Sequence, residues 1–434
     1  MLAECYYEGA GLIVRRLRIG KRVLESSIQD VSSLPPEAPA WSKWWRSYLK
    51  GAESQTPGFT GRRITIVDLF CGCGGFALGV KEAARALGLK PVFLLAVDID
   101  SDALATYAHN LRPRATLRAD VHRLAEFQCV GWGGSTRFAR PPEVLDRSLA
   151  SLVGRPDLVI AAPPCQGHSN LNNHTRRTDP RNLLYLDAVA VAVALEAGAI
   201  LVENVPDVAN DRMGILETAK SLLKTSGYQV VEGILSAEEV GLPQVRRRRF
   251  LAASRGPLTE FHVLRKAFHR KPEGVWWAIE DLLDARSDDV LDSSPKLSAE
   301  NKKRVDYLFE LGLYELPPQM RPPCHRNGHT YPSVYGRLRW EEPAGTITGG
   351  FMSPGQGRFI HPLQRRTLTP REAARLQGFP DSFRFRVPAA MPPTRRSLAK
   401  LIGDAVPPLL GYVAAFSVLA GLVDAQEGAD GRCP

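Results

Sequence analysis

The chain has 434 residues, 44% hydrophobic and 24% charged, enough for two or three domains with a substantial core and too apolar for a disordered or fibrous protein. Its formal charge of +10 at pH 7 turns the surface toward polyanions such as nucleic acid or anionic lipid. The seven cysteines, at positions 5, 71, 73, 129, 165, 324 and 434, lack the paired spacings of a zinc site or a disulfide framework, which points to a reducing compartment and no metal.

The stretch MLAECYYEGAGLIVRRLRIGKRV breaks every apolar run with a charge before a signal peptide or membrane span could form, so a cytoplasmic protein without an anchor is expected. Residues 1–60 read as an extension, a short β-ribbon around LIVRRLRIGKRV followed by a Pro-rich linker, SSLPPEAPAW. Trp41, Trp44 and Trp45, beside Lys43, Arg46 and Lys50, suit either an amphipathic helix packed on the main domain or a nucleic-acid surface; the packed helix is favoured.

From Arg62 the apolar runs ITIVDLF, VFLLAVDID, DLVIAAPP, AILVENV and RFLAASR alternate with helix-like stretches. That rhythm predicts an α/β fold with a doubly wound, mostly parallel sheet. Ligands on such sheets bind beyond the carboxyl ends of the strands, so the residues that end each run are the candidates.

The first run ends in DLFCGCGGFALG, where Gly72, Gly74 and Gly75 permit a tight turn and close backbone approach to a ligand. Gly72, Gly74 and Ala77 also fit the dinucleotide pattern, with Asp98 at the distance of a ribose-binding acid, so a nicotinamide enzyme is a rival at this point. The second run ends in Asp98 and Asp100; the first suits a ribose diol and the second a helix N-cap before SDALATYAHNL. Asp120, in LRADVH, ends a short third strand.

In DLVIAAPPCQGHSN two prolines fix the backbone and give up two amide donors, so Cys165 is held on a rigid loop at the sheet edge. A lone cysteine is ordinarily a small buried hydrophobe, but this presentation favours a nucleophile. Glu203 and Asn204 end ILVENV, and desolvation of Glu203 would raise its pKa and suit it to donate a proton; its bland role is an ion pair with an arginine. In GLPQVRRRRF strand alternation puts Gln244, Arg246 and Arg248 on one face, with Arg247 and Arg249 on the other.

Between Arg255 and about Pro343 the βα rhythm is lost, and VWWAIEDLL, DARSDDVLDSSPKLS and PPCHRNGHTYPSVYGRLRWEEP suggest a smaller irregular domain. Cys324, His325 and His329 could form half a metal site, but no second ligand pair accompanies them. The last apolar segment, GDAVPPLLGYVAAFSVLAGLV, reads as a core helix rather than a membrane span.

The ordered set FCGCGG, PPCQ, ENV, QVRRRR, TPREAARLQGFP and GDAVPP resembles the C5-cytosine DNA methyltransferases over about residues 62–420. The resemblance implies a catalytic and cofactor-binding domain over 61–254, a target-recognition domain over 255–345 and a segment, 346–434, that returns to the catalytic domain. It implies S-adenosylmethionine as cofactor, cradled by Phe70, Gly72, Cys73, Gly74 and Gly75, with Asp98 on the ribose and Ile99, Asp120 and Val121 at the adenine. Pro164, Leu184, Asp404, Ala405 and Val406 are further cofactor neighbours by the same resemblance. It makes Cys165 the nucleophile, Glu203 the proton donor, and Arg246 and Arg248 the paired arginines of the catalytic set.

The implied chemistry is addition of the Cys165 thiolate to C6 of a cytosine flipped out of double-stranded DNA, with Glu203 protonating N3. Residues 166–182, which carry His168, His174, Arg176 and Arg177, would then close on the DNA as a lid. A monomer is the expected state, and a cognate restriction endonuclease acting separately is a compatible partner. The dehydrogenase reading gives no joint role to Cys165, Glu203 and the arginines. The remaining alternatives are a tRNA cytosine methyltransferase and a catalytically silent DNA-binding homologue. Two departures stand out: Asp404 replaces the family's asparagine and, ionised, can accept but not donate a hydrogen bond, and His168 stands where an aromatic residue is common.

Overall fold

The computed structural model describes residues 2–56, 61–165, 179–284, 289–323, 333–385 and 394–424. The chain begins with a three-stranded antiparallel sheet, β1 (Leu2–Gly9), β2 (Leu12–Ile19) and β3 (Arg22–Gln29), and a helix, α1 (Ala40–Leu49). Alternation decides which face of β2 is inside: Ile13, Arg15, Leu17 and Ile19 are buried, whereas Arg16 and Arg18 are exposed. Trp44 and Trp45 are buried, which removes the nucleic-acid surface from consideration and supports the packed helix. The Arg15 guanidinium lies 4.6 Å above the Trp44 ring and 2.9 Å from Glu82 Oε1, both out of water. A desolvated cation–π contact contributes about 2 kcal/mol, so this corner fastens the N-terminal sheet to the helix that carries Glu82.

The central sheet has seven strands: β4 (Arg63–Leu69), β5 (Lys90–Asp98), β6 (Ala115–Arg118), β7 (Leu158–Ala161), β8 (Ala199–Asn204), β9 (Gln229–Ser236) and β10 (Arg247–Ser254). Their order is β9-β10-β8-β7-β4-β5-β6, and β10 alone runs against its neighbours. The expected doubly wound, mostly parallel α/β sheet is therefore present. Strand β9 was not among the five apolar runs expected from sequence, because Glu232 and Gly233 interrupt its pattern. Glu232 takes ion pairs from Lys220 and Arg249 at an edge where a charge costs little.

The inner strands β4, β5, β7, β8 and β10 are largely buried on both faces. Ile64, Ile66, Ile160, Leu201 and Phe250 pack with α2 (Gly75–Ala86), α3 (Ser101–Leu111) and α11 (Pro408–Asp424). Val67, Val97, Val159, Val202 and Leu251 pack on the opposite side with α4 (Leu184–Ala194) and α5 (Ile215–Thr225). The strand order turns back between β4 and β7, so a crevice opens beyond their carboxyl ends.

The apolar C-terminal segment is long enough and apolar enough to cross a membrane by length and composition, yet 94% of its most apolar window is buried inside the protein. It packs along α2 so closely that a Cβ on Gly79 would lie 2.0 Å from Pro408 O. Beyond β10, helices α6 (Phe261–Ala267) and α7 (Val275–Ile279) contribute Phe261, Leu264 and Trp277 to the main core. A smaller separate core collects Val305 and Leu308 of α8 (Ala299–Glu310), then Leu316, Val334, Tyr335 and Ile360. Two further helices, α9 (Pro370–Leu376) and α10 (Arg395–Gly403), bring the chain back to the carboxyl edge of the central sheet.

Candidate active site

The turn after β4 is built for close approach. Phe70, not a glycine, sits at φ +55°, a conformation that costs about 1 kcal/mol and tends to collect where a site needs it. Gly72 has φ +53°, and a Cβ there would meet nothing within 4 Å, so the turn faces open space. Gly75 serves another purpose: a Cβ would fall 2.4 Å from Val406 O, so a side chain is excluded by the returning C-terminal segment. Gly74, at φ +98°, is likewise pressed against Leu111. Cys73 is buried with its Sγ 3.2 Å from Leu401 O, away from the open cradle, and burial pushes its thiol up to about 12.

Asp98 closes the turn. Its Oδ2 accepts the Gly72 N–H at 2.8 Å and its Oδ1 the Asp100 N–H at 2.9 Å, leaving further lone pairs for a ligand hydroxyl. Ile99, next in line, is 65% exposed, an apolar side chain held in water at the rim of the cradle. Asp100 is the N-cap of α3, as its sequence context suggests, and also takes the Lys400 ammonium. Asp120 caps the short turn Val121–Arg123 by accepting the His122 N–H, with Val121 buried beneath it. Leu184 is half-buried at the start of α4. An open glycine turn, an acid on its backbone and an exposed apolar residue beside it fit a nucleoside cofactor of the S-adenosylmethionine kind.

On the other side of the crevice, Cys165 follows Pro163 and Pro164 beyond β7 and is half-buried. Asn204 Nδ2 donates to Pro163 O at 3.3 Å, so the end of β8 steadies the proline loop. Glu203 and Phe250 are register partners in β8 and β10, and Arg248, two residues from Phe250, therefore shares Glu203's face. Its Nε lies 2.7 Å from Glu203 Oε1, an ionic contact whose N–H is not well directed at the oxygen. Burial raises the Glu203 carboxyl above the usual carboxylate range, against the pull of Arg248 and Arg246. Burial also raises the Cys165 thiol, while the positive charge of Arg248 lowers it. The bland ion-pair role of Glu203 and its raised pKa thus coexist.

Arg246 behaves differently from its neighbour. It is buried, and its guanidinium donates to Ile347 O at 2.7 Å, Gly403 O at 3.3 Å and Ala405 O at 2.9 Å. It therefore anchors the segment that carries Asp404, Ala405 and Val406 rather than pairing with Glu203. Gln244 extends this anchor, accepting the Ile347 N–H at 2.9 Å and donating to Gln377 Oε1 at 3.0 Å. Sequence reasoning also missed Lys400, which reaches Asp100 across 300 positions, and the His122–Asp187 contact at 3.1 Å. No local pattern announces such pairs. His168, His174, Arg176 and Arg177 of the expected lid, and Cys324, His325 and His329, lie outside the described residues.

The α/β fold carries an open glycine turn beyond β4 and a thiol beyond the adjacent β7, both at the carboxyl edge of the sheet. A family model described as "C-5 cytosine-specific DNA methylase" matches residues 64–418, and the chain belongs to that family. It is 39% identical over 416 residues to the Type II methyltransferase M1.BsuMI of Bacillus subtilis, covering 95% of this chain and 94% of that one. It is 28% identical to the Type II methylase M.HgiDII of Herpetosiphon aurantiacus over 83% of this chain and 98% of the relative. Among solved structures, a putative prophage-encoded DNA modification methyltransferase of E. coli aligns with a TM-score of 0.52 at 23% identity, over 84% of this chain and 99% of that chain. The Dnmt2 methyltransferase of S. pombe aligns with a TM-score of 0.53 at 17% identity over 84% and 99%; both share the fold. The protein is thus a cytosine-5 DNA methyltransferase.

Proposed function

We propose that the enzyme methylates C5 of a cytosine flipped out of double-stranded DNA, through a covalent bond between Cys165 Sγ and C6. A base inside a duplex cannot reach a thiol on the wall of a crevice, hence the flipping. Cys165 is the nucleophile, and its attack pushes electron density toward N3. Glu203, whose carboxyl burial raises above the usual carboxylate range, delivers a proton there. Arg248 holds the carboxyl in place and, by its charge, eases ionisation of the thiol. When bound, S-adenosylmethionine supplies a sulfonium-activated methyl group to C5. Loss of the C5 proton then releases Cys165. The cofactor would rest on the Phe70–Gly75 turn, with Asp98 on the ribose hydroxyls, Ile99, Asp120 and Val121 about the adenine, and Pro164, Leu184 and the Asp404–Val406 segment alongside. Arg246 acts by fixing that segment.

The observation that carries this reading is the convergence of Cys165, Glu203 and Arg248 at one carboxyl edge, facing the open glycine turn. The Type II relatives support a role in restriction-modification, with a separately acting endonuclease as partner. We infer a monomer working in the cytoplasm, where its DNA substrate lies. Transfer of radiolabelled methyl groups to mixed duplex DNA, with total tRNA in parallel and Cys165→Ala as control, tests it. Label in DNA that depends on Cys165 is expected; label only in tRNA would change the substrate, and no label in either would overturn the reading.

A further inference from the structure

The contact between His122 and Asp187 has no part in the chemistry above. The His122 ring stands with Nδ1 3.1 Å from Asp187 Oδ1 and 3.2 Å from Oδ2. Its side chain is 69% exposed and that of Asp187 4% exposed, so a surface ring reaches down to a carboxylate held out of water. Against an ionised carboxylate, which only accepts, the ring donates through Nδ1. Among the described residues, this ring is the group that hydrogen-bonds the Asp187 carboxylate. Leaving a buried carboxylate without a hydrogen bond is costly, so the two side chains hold one another.

The ring sits on a residue that touches both neighbouring acids. His122 also donates its backbone N–H to Asp120 Oδ1 at 3.1 Å. Asp120 is exposed, and among the described residues its Oδ2 receives no hydrogen bond. The turn that follows, Val121–Arg123, is a single short one, and such a turn has little rigidity of its own. Its Val121 is buried in the same core cluster as Tyr185, Leu186 and Val189 of α4. The foot of α4 is itself fixed, because Asn182 Nδ2 donates to the buried Asp211 Oδ2 at 2.7 Å two residues before Leu184. His122 therefore ties the turn, and with it the free oxygen of Asp120, to an anchored helix.

We propose that His122 and Asp187 are a positioning pair that directs Asp120 to the 6-amino group of the cofactor's adenine, and so sets the preference for adenine over purines that lack this amine. The inference rests on the assignment of Asp120 to the adenine. An amine donates and a carboxylate accepts, whereas a purine without the amine offers Asp120 no donor. Neither His122 nor Asp187 touches the reacting atoms, so the pair acts on cofactor binding and not on the methyl-transfer step.

Calorimetric titration of the full-length protein with S-adenosylhomocysteine and with its analogue lacking the 6-amino group tests this. The wild-type protein should prefer the amine by at least about 10-fold, the worth of a hydrogen bond to a charged group. His122→Ala should weaken S-adenosylhomocysteine by roughly 5- to 20-fold and the analogue by less than about 2-fold, so that the preference collapses. His122→Asn, whose amide N–H stands near the place of Nδ1, should return affinity to within about 3-fold of wild type. Asp187→Ala should match His122→Ala, and the double variant should be no weaker than either. In methyl-transfer assays His122→Ala should raise KM for S-adenosylmethionine while kcat stays within about 2-fold. Thermal melting checks that each variant is folded. Equal losses for the two ligands, additive losses in the double variant, or a His122→Asn protein as weak as His122→Ala overturns the inference and leaves the cofactor assignment standing. If the wild-type protein binds both ligands alike, the assignment of Asp120 fails and the inference with it; if it binds neither, the cofactor assignment falls as well.

Discussion

The two walls of the crevice are made of different materials. The cradle wall is mostly backbone: a glycine turn, N–H groups satisfied by Asp98, and little buried charge. The thiol wall is charge held out of water, with Glu203 and Arg248 in ionic contact and Arg246 tied to carbonyls behind them. Binding a nucleoside requires shape and hydrogen-bonding groups, which a turn supplies cheaply. Moving protons and activating a thiol requires shifted pKa values, which burial supplies at a cost in stability.

That contrast can be broken from the thiol side first. Cys165→Ala should abolish methyl transfer while leaving cofactor affinity within about 2-fold, because the proposed nucleophile has no share in the cradle. Filter-binding transfer assays and calorimetry on one preparation check both halves of the claim. Glu203→Gln should slow transfer by about 10²- to 10⁴-fold, the ordinary worth of a positioned general acid, with little change in DNA affinity. An unchanged rate would mean that another group delivers the proton.

The pH dependence sharpens the same wall. Because burial raises the Cys165 thiol, the rate should climb with pH as the thiolate forms. Arg248→Gln removes the charge that lowers both groups, so the rising limb should move to higher pH and the Glu203 carboxyl should stay protonated to higher pH. A profile that keeps its position in the variant would disconnect Arg248 from the thiol.

The cradle side offers smaller, separable effects. Asp98→Ala should weaken cofactor binding by about 10- to 100-fold, since it loses both the ribose acceptor and the clamp on the Gly72 N–H. Two glycines distinguish site from scaffold. Gly75→Ala forces a Cβ onto Val406 O and should destabilise the fold by about 1–3 kcal/mol in urea unfolding. Gly72→Ala points its methyl into open space, so it should cost stability only about 1 kcal/mol for its positive φ while blocking the cofactor. If the two variants lose stability equally, the cradle is not the open surface described above.

The central sheet was legible in the sequence because parallel strands buried on both faces must be continuously apolar, and the acids and the cysteine that end them interrupt that pattern visibly. Strand β9 escaped because it lies at an edge, where Glu232 and Gly233 are tolerated. The ordered motifs likewise named Cys165, Glu203 and the arginines, since their chemistry limits which residue types can stand at those strand ends. Their division of labour was decided by the fold. Arg246 and Arg248 are two residues apart and read alike, yet one meets carbonyls of the returning chain and the other meets Glu203. Lys400 and Asp100, Arg15 and Glu82, and Trp44 beneath Arg15 are joined across long stretches of chain. The sequence by itself settles which side chains face inward and which end a strand, because those follow from local periodicity. Which distant partner each one finds follows from how the layers close, and only the tertiary structure decides it.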